Sequence, residues 1–170
     1  FVTELNNYFD RPINYLDLGC SGGQFVVDMM KDNNLCVGLE GSDYSIPDNQ
    51  KKYEEKESNQ KRFMNWKKYY NKNLFTCDIS EPFSVQSDDI DVKFNLISAW
   101  EVLEHIPANK LDNLFQNIYK HLTDDGIFVG SISLSEEKWH LTVEEPPFWE
   151  DVFKRNGFKM VGEDNFYDSE

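Results

Sequence analysis

The sequence predicts an α/β fold, with a doubly wound, mostly parallel sheet that carries helices on both faces. Two observations support this fold class. Short runs rich in Val, Ile, Leu and Phe alternate along the chain with segments of helical periodicity. The first of these runs ends in a glycine-rich turn that opens a helical segment, as strand–loop–helix units do. The chain has 170 residues, enough for one sizeable core, and we expect residues 1–170 to form a single domain.

The first strand–loop–helix unit contains the turn Gly19–Gly23. A backbone that turns sharply and approaches a ligand closely needs glycine, because a Cβ atom would block both. The helix that follows presents unpaired N–H groups toward the turn. This pattern predicts a cofactor site. It is not the dinucleotide fingerprint G-x-G-x-x-G, because Ser21 and Gln24 stand where that fingerprint needs glycine.

Three further strands are predicted, and each carries an acidic residue at or near its carboxyl end. They are Leu35–Glu40, Leu74–Ile79 with Asp78 near its end, and Phe94–Glu101. In open parallel sheets, ligands bind beyond the carboxyl ends of the strands. We therefore expect these acids to lie near the cofactor site.

The later elements follow the same alternation. An amphipathic helix is predicted over Pro107–Leu122 and a fifth strand over Ile127–Ile132. Another helix is expected to begin near Pro147. A late strand is expected from Phe158 to Val161, and a final strand over Asn165–Tyr167.

Two motifs resemble those of the class I S-adenosylmethionine-dependent methyltransferases. The string Asp17-x-Gly19-x-Ser21-x-Gly23 resembles their motif I, D/E-x-G-x-G-x-G, with serine in place of the middle glycine. The string ISAWEVLEH, residues 97–105, resembles their motif IV region. The resemblance implies a Rossmann-like methyltransferase fold with S-adenosylmethionine as the cofactor. Little sequence precedes the first strand, so we expect a minimal N-terminal region.

The resemblance also implies roles for individual residues. Glu40 would bind the ribose hydroxyls, Asp78 would receive the adenine amino group, and Ile79 would lie beside the adenine ring. The full set of cofactor-binding residues implied in this way is Asp17, Gly19, Cys20, Ser21, Gly23, Phe25, Glu40, Asp78, Ile79, Trp100 and Glu101.

The three histidines are the candidates for acid–base chemistry, because methyl transfer to a hydroxyl requires removal of a proton. His121 ends the amphipathic helix, and we expect it in a solvated or dipole-favoured position. His105 directly follows motif IV and His140 follows the fifth strand, so both are expected at the ligand-bearing edge of the sheet. His140 is the preferred general base, and His105 is the second catalytic candidate.

A metal site is an open alternative. If a helical turn starts at Glu101, then Glu101, Glu104 and His105 share one face, and His140 could complete a set of four ligands. Small-RNA 3′-terminal methyltransferases use a similar set to hold Mg²⁺ or Mn²⁺. The same string is common in methyltransferases with no known metal requirement, so Mg²⁺ or Mn²⁺ is not the favoured interpretation.

Composition restricts the partners and the compartment. With 17 basic and 31 acidic residues the net charge is −14, which disfavours binding to nucleic acid. No run is long enough to span a membrane, and no signal peptide is visible. Cys20, Cys36 and Cys77 are expected to be small buried side chains rather than disulfide partners. We expect a cytoplasmic protein without a membrane partner.

The segment 43–73 is interpreted as a charged insert or helix that could act as a lid. Its second part brings back large apolar side chains at roughly helical spacing. We expect them to pack on the sheet, with a lining of the substrate entrance as the alternative; they are Phe63, Met64, Trp66, Tyr69 and Tyr70.

The preferred function is O-methylation of a small hydroxylated acceptor, such as a sugar or a phenolic or quinone-like metabolite. N-methylation stays open. The alternatives are a metal-dependent RNA 3′-terminal 2′-O-methyltransferase and a non-catalytic, methyltransferase-like binding subunit. The sequence names neither the acceptor nor the oligomeric state, because variable loops make the acceptor contacts.

Overall fold

The computed structural model describes residues 3, 7–33, 35–42, 45 and 64–159. Residues 3, 7 and 8 are helical. The strands and α-helices that follow, in chain order, are β1 (Asn14–Leu18), α1 (Gln24–Met29), β2 (Leu35–Glu40), α2 (64–69), β3 (Leu74–Thr76), β4 (Gln86–Ser87), β5 (Ile90–Asp91), β6 (Phe94–Trp100), α3 (Leu111–His121), β7 (Leu122–Ser131) and α4 (Pro146–Arg155).

Five of the strands form one parallel sheet in the order β3-β2-β1-β6-β7. From the central strand β1, the chain adds β2 and β3 on one side and β6 and β7 on the other. The strand order therefore reverses between β1 and β6, and ligands bind at such a point in sheets of this kind. The predicted fold class is confirmed.

The alternation of side chains along the strands divides the core into two clusters, one on each face of the sheet. Leu16 belongs to the cluster that includes Phe115 of α3 and Trp149 of α4. Tyr15, its neighbour in β1, belongs to the other cluster, which includes Trp66 of α2. Because both faces of the sheet are covered, the sequences of its strands are nearly continuous runs of apolar residues.

Several boundaries differ from the predicted ones. β3 ends at Thr76 rather than Ile79, because Asp78 begins a tight turn in which its carbonyl accepts the N–H of Glu81. The helix predicted from Pro107 begins at Leu111 and is preceded by a 3₁₀ turn over Ala108–Lys110.

Strand β7 begins at Leu122, before the predicted start at Ile127, and its pairing with β6 shifts in register between Phe94 and Leu96. Phe158 and Lys159 are not in a strand. The rest of the predicted late strand, Met160–Val161, and the final strand at Asn165–Tyr167 lie outside the described residues.

Most of the predicted insert at 43–73 also lies outside the described residues, as does Phe63. In its described part, Trp66 is fully buried whereas Met64 is 66% exposed. Tyr69 and Tyr70 are partly buried against the cluster of Trp66. Trp66, Tyr69 and Tyr70 therefore pack against the core as expected, whereas Met64 does not.

The expected solvated position of His121 is wrong. The side chain is buried: its Nδ1–H donates to the Asn117 carbonyl at 2.7 Å and its Nε2 accepts the Val85 N–H at 3.1 Å. Its ring stacks on Phe83 with 4.7 Å between centroids. Burial lowers the pKa of His121, which is therefore a neutral structural residue.

No helix among the described residues is long and apolar enough to cross a membrane.

Candidate functional site

The glycine loop, residues 19–23, joins β1 to α1. Gly19 and Gly23 have φ angles of 69° and 72°, in the left-handed region that favours glycine. At Gly19 a Cβ atom would lie 2.4 Å from Cγ2 of Val102, so the loop that leaves β6 packs directly on the glycine loop. Ser21 also has a positive φ of 49°, so the middle motif position keeps the left-handed backbone without glycine.

Three side chains from other elements hold the glycine loop, and one of them is the Asn65 amide, which donates to the Gly22 carbonyl at 3.1 Å. The backbone N–H of Ser21 donates to Oε2 of Glu40 at 2.8 Å, while Oε1 of Glu40 accepts the N–H of Ser42 at 2.8 Å. On the other side, the Trp66 indole N–H donates to the Ser21 carbonyl at 2.7 Å. The sequence indicated Glu40, but it did not assign Trp66 to the loop.

A buried hydrogen-bonded chain lies under the loop. The Tyr15 hydroxyl lies 2.6 Å from Oγ of Ser98, which donates to Oδ1 of Asp17 at 2.7 Å. The Ser98 hydroxyl has one hydrogen and gives it to Asp17, so Tyr15 donates to Ser98. Asp17 and Ser98 are partners in the β1–β6 register, and the period of two puts Tyr15 on the same face. Sequence reasoning did not assign Tyr15 and Ser98 to the site. Pairing of the predicted strands β1 and β6 in this register would have placed both side chains beside Asp17.

The carboxyl group of Asp17 is 3% exposed, and burial raises its pKa to about 7. Repulsion by Glu40 also raises this pKa, whereas the hydrogen bond from Ser98 lowers it. Burial also raises the pKa of Tyr15 well above its ordinary value. Asp17 is therefore poised between its neutral and ionised forms near neutral pH.

The predicted adenine-side residues have different environments. Asp78 is exposed, and its Oδ1 accepts hydrogen bonds from the N–H and the hydroxyl of Ser80 at 3.0 and 2.7 Å. Ile79 is buried in the core, and its carbonyl accepts the Asn117 side-chain amide at 3.2 Å. Asp78 is thus open to solvent, whereas Ile79 is part of the core.

Aromatic rings of two predicted cofactor residues stack on each other. The rings of Phe25 and Trp100 are 6.2 Å apart between centroids, with 20° between their planes. The next residue, Glu101, has a φ of 52°, and its N–H donates to the Ser131 hydroxyl and carbonyl at 3.2 Å each. The chain therefore turns sharply as it leaves β6.

The three cysteines carry free thiols. Cys20 and Cys36 are buried, and Cys77 is half-buried. Burial raises the pKa of all three, that of Cys36 to about 12, so they are protonated at neutral pH.

His105 and His140 lie together beyond the carboxyl ends of β6 and β7. The Nδ1–H of His105 donates to the Trp139 carbonyl at 2.8 Å, and that of His140 donates to the Ser135 carbonyl at 2.7 Å. These bonds fix the tautomer, because a carbonyl only accepts. In the neutral form of each ring, Nε2 then carries the lone pair. The two rings are 4.9 Å apart between centroids.

Glu104 lies beside the two histidines. The residue is fully buried, and its Oε1 accepts the Ser133 N–H at 3.2 Å. Its Oε2 is buried without a hydrogen-bond partner among the described residues. Burial raises the pKa of Glu104. Ligand atoms of Glu104, His105 and His140 all lie within 4.8 Å of one another, and we call these residues the Glu–His–His group.

The expected set of four that included Glu101 is wrong. The helical turn after β6 is a 3₁₀ turn over Leu103–His105, and Glu101 precedes it in the left-handed conformation. Among the described residues, Glu101 is not part of the group that could hold one ion.

Comparison with known families agrees with the fold and the glycine loop. A family model described as a methyltransferase domain matches residues 1–167. No curated protein matches the sequence.

Solved structures of low sequence identity share the fold. A TehB-like S-adenosylmethionine-dependent methyltransferase from Corynebacterium glutamicum has a TM-score of 0.61 at 16% identity, over 92% of this chain and 71% of its own. The N-methyltransferase NodS from Bradyrhizobium japonicum, in complex with S-adenosyl-L-homocysteine, has a TM-score of 0.53 at 18% identity. The match covers 76% of this chain and 57% of NodS.

An S-adenosylmethionine-bound amino pentose methyltransferase, CalS10 from Micromonospora echinaspora, has a TM-score of 0.51 at 12% identity, over 78% of this chain. The match spans 48% of CalS10, so this chain covers about half the length of CalS10 and NodS.

The family match, the strand order and the glycine loop lead to one assignment. The chain belongs to the methyltransferase-domain family, within the class I S-adenosylmethionine-dependent methyltransferases.

Proposed function

We propose that this chain transfers the methyl group of S-adenosylmethionine to an oxygen atom of a small hydroxylated molecule, such as a sugar or a phenolic or quinone-like metabolite. The observation that carries the choice of an oxygen acceptor is the pair His105 and His140. Both imidazoles are held through Nδ1 by backbone carbonyls at the ligand-bearing edge of the sheet, which leaves Nε2 as the proton acceptor of the neutral ring. Removal of a hydroxyl proton requires such a base.

The glycine loop is the proposed cofactor seat. The left-handed Gly19 and Gly23 let the backbone approach the cofactor closely. Glu40 uses each carboxylate oxygen for one N–H, and a carboxylate oxygen has two lone pairs, so the same group can also accept the ribose hydroxyls. The exposed Asp78 is proposed to receive the adenine amino group.

The remaining proposed cofactor contacts come from the loop and from the exit of β6. Cys20 would contribute through its backbone, because its side chain is buried. The other members of this set are Asp17, Ser21, Phe25, Ile79, Trp100 and Glu101.

The proposed reaction is an in-line displacement. The bound cofactor supplies a methyl group on a cationic sulfur. The acceptor oxygen forms a bond to the methyl carbon, and the C–S bond breaks with its electron pair moving to sulfur. The acceptor proton passes to Nε2 of His140, the preferred base. The Glu137 carboxylate, 3.9 Å from that nitrogen, would stabilise the imidazolium that forms.

The surface around the histidines supports a small organic acceptor. Leu134, Trp139 and Leu141 are 44%, 68% and 61% exposed on the loop that carries His140. Exposed apolar side chains suit a phenolic or quinone-like ring better than a polyanion. The net charge of −14 also disfavours an RNA end as the acceptor.

Calorimetric titration with S-adenosylmethionine and S-adenosylhomocysteine tests the cofactor part of the proposal. We expect binding, and weaker binding for Asp78→Ala. A folded chain that binds neither compound would favour the non-catalytic subunit instead.

A screen of acceptors in matched hydroxyl and amino forms tests the oxygen preference. NodS and CalS10 are named for amino acceptors, so the amino forms are needed in the screen. We expect methylation of hydroxyl forms, and a fall in kcat of about 10²–10⁴-fold for His140→Gln with unchanged cofactor affinity. Glu136→Gln, an exposed change on the same loop, is the control. Turnover of amino forms only would contradict the oxygen assignment.

A further inference from the structure

We infer that the Glu–His–His group is a binding site for one divalent transition-metal ion of the first row, such as Zn²⁺ or Co²⁺. The site consists of Oε2 of Glu104 and Nε2 of His105 and His140. The compact placement of the three side chains is the first observation, because one ligand atom from each lies within 4.8 Å of those of the other two. Ligands of one ion must lie this close, because bond lengths to such ions are about 2.0–2.2 Å.

The tautomers of the two histidines are the second observation. Metal-bound imidazoles usually donate their other ring N–H to a carboxylate or a backbone carbonyl, which orients the ring and leaves a lone pair for the metal. His105 makes this bond to the Trp139 carbonyl, and His140 makes it to the Ser135 carbonyl. Both rings therefore have the support that a metal ligand needs.

The unpartnered oxygen of Glu104 is the third and independent observation. A buried carboxylate oxygen without a partner is costly, and few such groups persist without an ion, a water or a function. Oε2 of Glu104 is buried without a hydrogen bond, although Oε1 of the same group has one. A cation between the three side chains would satisfy this oxygen.

The loop that carries His140 is fastened to the turn that carries Glu104. The Glu104 carbonyl accepts the N–H groups of Leu141 and Thr142 at 2.7 and 3.0 Å. The Thr142 hydroxyl donates to the Ile106 carbonyl at 2.7 Å. These bonds hold the ligands at a fixed separation before any ion binds.

The donor atoms indicate the class of metal. Two imidazole nitrogens and one carboxylate oxygen suit Zn²⁺, Co²⁺ and similar ions, whereas Mg²⁺ prefers oxygen ligands alone. Three protein ligands leave open positions, as catalytic metal sites do. Glu101, which would have added a second carboxylate, is outside the group.

One consequence rests on the proposed function. The proposed role of His140 as the base belongs to the ion-free chain, because an Nε2 atom that binds an ion cannot accept a proton. With an ion bound, the acceptor proton would pass to solvent. The residues would then position the acceptor oxygen at the open positions of the ion, and a bound ion lowers the pKa of such an oxygen.

Titration of the untagged, chelator-treated chain with Co²⁺, followed by visible absorption, tests the inference directly. We expect one site per chain with d–d bands, competition by Zn²⁺, and no competition by Mg²⁺ at equal concentration. Glu104→Gln keeps the side-chain shape and an acceptor for Ser133, while His105→Asn changes an exposed ring. Each variant should weaken Co²⁺ binding at least about tenfold. Glu136→Gln, an equal charge change at an exposed site on the same loop, should leave it unchanged.

The inference would be overturned if the unmodified chain had no Co²⁺ site. It would also be overturned if Glu104→Gln and His105→Asn bound Co²⁺ as tightly as the unmodified chain does. Circular dichroism must show that the chains are folded. Binding of Mg²⁺ in preference to Co²⁺ would overturn the assigned metal class. S-adenosylhomocysteine binding, measured on the same samples, separates the two proposals. Cofactor binding without a metal site removes only this inference, whereas a metal site without cofactor binding removes only the proposed methyl transfer.

Discussion

The Oε2 atom of Glu40, at the end of β2, accepts a hydrogen bond of 2.8 Å from the backbone N–H of Ser21 in the glycine loop. The same carboxylate binds the Ser42 N–H through its other oxygen. The buried Glu40 side chain thus links the loop that follows β1 to the segment that follows β2. Its negative charge lies where the ribose of the cofactor is proposed to bind.

Replacement of Glu40 by alanine should weaken both the fold and cofactor binding. Each hydrogen bond to a charged group contributes about 1.5–3 kcal/mol, part of which water recovers, so we expect a fall of about 2 kcal/mol in the free energy of unfolding. S-adenosylhomocysteine affinity should fall at least about tenfold, because the ribose loses its acceptor and the loop its anchor. Urea unfolding and calorimetry measure the two effects. Glu150→Ala, on the exposed face of α4, should change neither, and unchanged affinity in Glu40→Ala would refute its ribose role.

Trp66→Phe should loosen the glycine loop without emptying the core. The phenyl ring keeps most of the buried contact, but the hydrogen bond from the indole to the Ser21 carbonyl is lost. We expect a cost of about 1–2 kcal/mol in the free energy of unfolding and weaker S-adenosylhomocysteine binding. Trp139→Phe is the matched control, because this indole is 68% exposed. Equal effects of the two variants would show that the Trp66 hydrogen bond has no special role.

Gly19→Ala should damage the site through two separable causes. The added methyl would lie 2.4 Å from Cγ2 of Val102, and alanine disfavours the φ of 69°. We expect a loss of about 2 kcal/mol or more in the free energy of unfolding. Val102→Ala in the same chain removes the clash but leaves the backbone strain, so the double variant should recover only part of the loss. Full recovery would show that the left-handed backbone is not the reason for glycine.

The central strands were predictable from sequence because a parallel strand buried on both faces is a short apolar run. The same reasoning placed His105 and His140 at one edge, since the carboxyl ends of parallel strands meet there. What the sequence did not show depends on contacts between distant segments. His121 is buried because Val85 and Phe83 pack over it, and no local pattern announces that contact.

The departure of Glu101 from the expected turn has a similar origin. Its N–H is held by Ser131 at the end of β7, which favours the left-handed conformation over a helical one. Trp66 was predicted as a core residue from its spacing. Its bond to the glycine loop could not be predicted, because it requires the relative position of α2 and β1.

The carboxyl group of Asp17 should make stability depend on pH in the direction opposite to that of an ordinary carboxylate. Burial raises its pKa to about 7 in the folded chain, above about 3.9 in the unfolded one. The folded state therefore holds an extra proton between about pH 4 and 7, so this contribution to stability is complete below that window and is lost as the pH rises through it.

Asp17→Asn cannot ionise and removes the dependence. From pH 5 to pH 8, urea unfolding should show the variant gaining about 2 kcal/mol relative to the unmodified chain. The control is Asp112→Asn, since hydrogen bonds from Asn156 and Arg155 lower the pKa of Asp112 and its effect falls below this range. A difference between Asp17→Asn and the unmodified chain that stays constant over the range would mean that Asp17 is ionised throughout.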